Sequence, residues 1–183
     1  MRWANPLLIL AGALLAVFWE SAFHGIRHLL GAQVDLLPAI MVYASLTASL
    51  LTVSSLALLG GLAFDSISAN PLGVTVLPLL VCGLGFFAFR ELLLRDQPFA
   101  QMMLGLVASL VTPLLVLLTL LTTGKQPLVG LGTLWQFVVL GVGGALATPV
   151  CFALFGFFNR FLGYEEVATP SFRADREIRR GRS

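Results

Sequence analysis

Few residues in this chain could do chemistry, and most of them fall in two places. Glu20, His24, Arg27 and His28 follow one another at spacings that put all four on one helical face. Asp65 stands at the end of a later apolar run. Histidines four apart suit a metal site on a helix, and with Glu20 they would make a mononuclear one. The chain holds only 2 histidines, too few for the clusters of a membrane di-iron oxidase. An intramembrane protease needs a positioned nucleophile and base, or paired acids on neighbouring helices. No Gly-x-Ser-Gly or Gly-x-Gly-Asp occurs, and Glu165-Glu166 belongs to the opposite edge from Asp65. The expectation is therefore no catalytic, cofactor or metal site. The five polar residues read instead as a structural or partner-facing cluster in which Arg27 neutralises Glu20 or Asp65 and the histidines donate hydrogen bonds.

Such groups need a setting, and composition supplies it. Hydrophobic residues make up 58% of the 183 and charged residues 11%, against roughly 25% charged in soluble domains. This is the signature of an integral membrane protein. At about 20 apolar residues per crossing there is room for five or six spans in one bundle, residues 1–163. Cys82 and Cys151 lie inside apolar runs and read as small hydrophobes. A net charge of +2 is too small to imply a nucleic-acid partner, and none is expected.

The first helix starts after Arg2 and Trp3 and is expected to run through Glu20 to about Leu30, an anchor that stays rather than a cleaved signal. The apolar run Leu36 to Phe64 would be about 44 Å long as one helix, well beyond a hydrocarbon core of roughly 30 Å. It is therefore split near Ala48-Ser49. Asn70 as N-cap and Pro71 at the first position begin the next helix, which runs to Phe89. A fifth span covers about Phe99 to Leu121, kinked or opened at Pro113. The sixth, Leu131 to about Leu162, contains Gly141, Gly143, Gly144 and Pro149 and is expected to be tilted or broken midway. Gly141 and Gly144 each have a small residue four positions on, which permits close helix packing. Gly60-Gly61, one turn before Asp65, likewise lets a neighbouring backbone approach.

Orientation follows from basic residues. With six spans, Arg2, Arg90, Arg95, Arg160 and the tail arginines Arg173, Arg176, Arg179, Arg180 and Arg182 collect on one side, leaving Arg27 and Lys125 on the other. The positive-inside rule makes the first side cytoplasmic, with both termini there. A five-span arrangement merely exchanges Arg2 with Arg27, so charge alone does not choose between them. The basic tail, residues 164–183, is either a solvated terminus or a docking segment for acidic lipid or a cytoplasmic partner.

Val34-Asp35-Leu36-Leu37-Pro38, the apolar run after it, Gly60-Gly61-Leu62-Ala63-Phe64-Asp65-Ser66-Ile67-Ser68 and Pro71-Leu72-Gly73 resemble the core pattern of MreD-type rod-shape-determining proteins. The chain departs from that pattern in having no basic residue between its second and third spans. The resemblance implies an all-α polytopic membrane bundle similar in fold to the substrate-binding subunits (S-components) of vitamin-uptake transporters. It implies a location in the bacterial cytoplasmic membrane and a non-enzymatic role with MreC, MreB, and RodA with its partner transpeptidase in lateral peptidoglycan synthesis. The competing expectation is a substrate-binding subunit of a small-molecule transporter, using the outward polar cluster as its pocket.

Overall fold

A computed structural model of the chain describes residues 4–22, 31, 34–68, 71–93, 97–124 and 130–161. Among them every regular element is helical: α1 (Ala4–Ala22), α2 (Leu37–Thr47), α3 (Leu50–Ile67), α4 (Val76–Phe89), α5 (Pro98–Thr122) and α6 (Leu131–Phe161). Of these, α1, α3, α5 and α6 are long and apolar enough to cross a membrane, while α2 and α4 have 11 and 14 residues.

The apolar run after Asp35 does break at Ala48-Ser49. Ala48 is extended, at φ −111° and ψ 179°, and the Ser49 hydroxyl accepts the Thr52 N–H at 3.4 Å, satisfying one of the donors a helix start leaves open. The outcome is a helical hairpin whose first arm is the centre of the molecule. Every residue of α2 from Leu37 to Leu46 is buried. Around it α1 packs on α3, α3 on α4, α4 on α5 and α5 on α6, while α1 and α6 barely touch. A helix apolar all round belongs in such a position.

Two expected boundaries are corrected. The helix assigned to begin at Asn70-Pro71 begins at Val76, and residues 72–75 form a turn; Asn70 lies outside the described residues. The last span is not broken midway, because α6 is continuous through Pro149, as α5 is through Pro113. A proline costs a helix one backbone bond, and packing against neighbours within the bundle makes that tolerable. The described part of α1 ends at Ala22, so its expected continuation to Leu30 lies outside the described residues.

Small residues set the helix spacing. A Cβ on Gly61 would sit 2.9 Å from Val76 Cα, so the start of α4 rests directly on α3. Gly60 faces Leu37, Gly141 faces Leu110, and Gly144 meets Ser109.

Candidate functional site

The element boundaries decide what Asp65 does. It lies in the last turn of α3 and is only 2% exposed. There the helix dipole disfavours a negative charge, so the carboxylate must be offset. The expected cation, Arg27, lies outside the described residues, and so does His24. The described partners come from the following turn. Oδ2 accepts the N–H groups of Gly73 at 2.8 Å and Thr75 at 3.0 Å, and the Thr75 hydroxyl donates a short hydrogen bond to Oδ1. Thr75 is the N-cap of α4 but makes no side-chain cap of its own. Asp65 therefore braces, from the end of α3, the turn that leads into α4, and the N–H groups of Gly73 and Thr75 with the Thr75 hydroxyl supply the positive ends that the carboxylate needs. Gly73 serves this socket through its backbone: at φ 91° it occupies a conformation that a side chain would strain.

Glu20 is engaged elsewhere. Its Oε1 accepts the Leu36 N–H at the entrance to α2, while Oε2 is enclosed without a hydrogen-bond partner among the described residues. Asp35 stands beside it and accepts the Leu37 N–H at 2.9 Å. So the two acids of the expected cluster that are described, Glu20 and Asp65, hold two different interhelical turns, and no described bond joins them. His24, Arg27 and His28, like the five tail arginines, lie outside the described residues. Among the described residues no group of three His, Cys, Asp or Glu side chains could hold a metal ion.

Burial pushes the Asp35 carboxyl up from its usual 3.8 to about 6, against the downward pull of the Leu37 N–H. A group whose pKa is raised by folding binds its proton more tightly in the folded state. Its contribution to stability is complete below about pH 4 and is lost as pH rises through about 6. The thermal midpoint of the purified protein is thus expected to fall between about pH 4 and pH 6 and to level off above that. Asp35→Asn should flatten that slope, as read by a fluorescence melt in buffers of matched ionic strength.

A second polar layer lies at the other end of the bundle. Asn159 in the last turn region of α6 donates to Asn5 Oδ1 of α1 at 3.3 Å and to the Tyr43 hydroxyl of α2 at 3.0 Å, all three buried. The Tyr43 ring stacks on Phe155, with centroids 4.7 Å apart, and meets Phe152 edge-on. This network closes the seam where α1 and α6 otherwise hardly touch. Sequence reasoning missed it. The available signal was the rarity of asparagine, which is costly inside apolar helices and occurs at Asn5, Asn70 and Asn159 only.

No protein family, curated protein or solved structure matches the chain. Function must be argued from the two layers themselves. Each pins helix ends together across long sequence separations, and each is built from hydrogen bonds of the kind worth roughly 0.6 kcal/mol on average between membrane helices. Asn159→Leu is expected to lower stability by about 1 kcal/mol and to leave the helix content unchanged. Thermal unfolding of the purified variant, followed by circular dichroism, measures both.

Proposed function

We propose that this protein is a non-enzymatic scaffold of the bacterial cell-elongation machinery, an MreD-like component of the cytoplasmic membrane. In this reading it positions MreC and the RodA-type peptidoglycan synthase with its partner transpeptidase, in register with MreB filaments. The observation that carries the reading is the use of the motif on which the resemblance rests. Gly61, Asp65 and Gly73 together seat the start of α4 on the end of α3, and both carboxylate oxygens of Asp65 are occupied by donors from the turn. A motif spent on holding a turn suits a protein whose product is a shape.

Six crossings with both termini cytoplasmic fit the same reading. Leu36 reaches the Glu20 layer and the Tyr43 hydroxyl reaches the Asn5–Asn159 layer, so α2 with its flanking residues joins the two polar ends despite its length. These layers are separated along α1 by about 22 Å at 1.5 Å per residue, a span that α4, at about 21 Å, also matches. The S-component-like arrangement belongs to this proposal too.

The test is isolation in mild detergent from a rod-shaped bacterium, together with complementation of a strain lacking its own MreD. Co-isolation of MreC and restored rod shape are expected. Co-isolation of an energy-coupling transport module alone, with no restoration of shape, would replace this reading with the transporter one.

A further inference from the structure

We infer that α5 and α6 share a hinge, and that their outer parts, residues 113–122 and 132–138, swing as one two-helix arm against a fixed core. The inference rests on packing within the two helices and not on a role in wall synthesis. Burial marks the joint. The buried residues of α5 are Leu104, Gly105, Ala108, Ser109 and Thr112, and none of residues 113–122 is buried. On α6 the burial begins at Val139 and Leu140, and none of residues 132–138 is buried. The register makes these one boundary, because Leu110 of α5 lies against Gly141 of α6 and Ser109 lies against Gly144. Followed outward along the antiparallel pair, it sets Leu118 about level with Leu134. Beyond the boundary neither helix inserts a side chain into the core, and a segment with few buried contacts opens at low cost.

Both helices are weak at this level, by different means. Pro113 is the first residue of the arm on α5. It has no N–H to give to the carbonyl of Ser109, so the helix lacks a bond just where the core ends, and helix bends concentrate at such residues. On α6, Gly141, Gly143 and Gly144 stand close together, and without side chains the backbone there is freer to change. The joint also holds polar groups that this conformation leaves unused. Ser109 and Thr112 are buried, yet neither hydroxyl has a hydrogen-bond partner among the described residues, Thr112 having only the weakly bonding thiol of Cys82 beside it. A buried hydroxyl left in that state is costly. Bending α5 at Pro113 offers a remedy, because Ser and Thr hydroxyls can turn back onto carbonyls of the preceding turn, the released Ser109 carbonyl being within reach of Thr112. Val34, in the turn that Glu20 and Asp35 hold onto α2, rests on Gly143. The hinge is thus where movement of the arm reaches the α2 entrance.

Pairs of spin labels in the full chain, reconstituted in lipid nanodiscs from a background carrying Cys82→Ala and Cys151→Ala, test the hinge by pulsed distance measurement. The labelled positions are all exposed: Leu58 of α3 as a fixed reference, Val107 and Leu146 on the core side of the joint, and Leu118 and Leu134 on the arm. Distance distributions from Leu58 to Leu118 and to Leu134 are expected to be about two-fold broader than those from Leu58 to Val107 and to Leu146, while the Leu118–Leu134 pair stays as narrow as the core pairs. Pro113→Ala with Gly141→Ala should bring the arm distributions down to the core width. The nearest atom to a methyl at position 141 belongs to the flexible end of the Leu110 side chain, at 3.2 Å. If the double variant does not fold, Pro113→Ala alone carries the test and should produce most of the narrowing. Arm distributions no broader than the core ones in the wild-type helices would overturn the hinge. So would breadth that survives the substitutions, or a Leu118–Leu134 distribution as broad as the arm-to-core ones, which would show two fraying helix ends and not one moving arm.

Discussion

Asp65→Ala is expected to destabilise the protein by about 3–5 kcal/mol, while Asp65→Asn costs only about 1–2 kcal/mol. The difference follows from the layout of the socket. Alanine leaves the Gly73 and Thr75 N–H groups and the Thr75 hydroxyl without the acceptor that all three now share. Each unmet buried donor costs about 1–3 kcal/mol, reduced where the turn can relax towards water. Asparagine can keep its oxygen where Oδ2 accepts both backbone N–H groups and place its amide nitrogen where Oδ1 stood, donating to the Thr75 hydroxyl, which then turns its own proton away. Only the charge is lost, and with it the extra strength of hydrogen bonds to a carboxylate. Thr75→Val should therefore cost at least as much in the wild type, where it strips a buried carboxylate oxygen of its donor, as in the Asp65→Asn background, where it strips an amide of its acceptor. An ion pair with Arg27 predicts the opposite pattern: Asp65→Asn as damaging as Asp65→Ala, and recovery on adding Arg27→Gln. Thermal melts of the five purified variants distinguish the two, and recovery by Arg27→Gln would sink the socket.

Why the socket escaped sequence reasoning is instructive. Asn70-Pro71 has the local chemistry of a helix start, and local chemistry was the only guide. The turn into α4 is held by Asp65, a residue at the end of the preceding helix, and nothing in the turn itself encodes that. The apolar, all-helical character of the described residues and the break at Ala48-Ser49 were legible because they depend on composition and length, and because Ser49 with Thr52 makes a local capping pair. The continuity of α5 and α6 was not, since Pro113 and Pro149 read as interruptions until the neighbouring helices that support them are in place. The Asn5–Tyr43–Asn159 layer joins residues 154 and 116 positions apart, beyond the reach of any periodicity. Asp35 was seen only as part of a motif. Its pairing with the entrance to α2 required knowing that α2 starts at Leu37.

The contact between α5 and α6 is closer than a side chain at Gly144 allows. Even alanine is too large there. A Cβ on Gly144 would lie 1.8 Å from Ser109 Oγ and 2.5 Å from Ser109 Cβ, with Gly105 O next at 3.0 Å. A Cβ on Gly105 would lie 2.0 Å from Thr148 Oγ1 and also 2.5 Å from the carbonyl oxygen of Gly144. Both substitutions must push the helices apart, at about 1–3 kcal/mol or more, and both should reduce the yield of folded protein and its thermal midpoint. They differ in what can relieve them. The obstacle to Gly144→Ala is a side chain, so adding Ser109→Gly should recover at least half of the loss, after allowing about 1 kcal/mol for glycine in the helix. The obstacle to Gly105→Ala includes backbone, so trimming the side chain with Thr148→Ala should recover little. If Gly144→Ala instead leaves the melt of the isolated protein unchanged while abolishing co-isolation of a partner, the glycine face is an interface between proteins and the register of α5 on α6 described above is wrong.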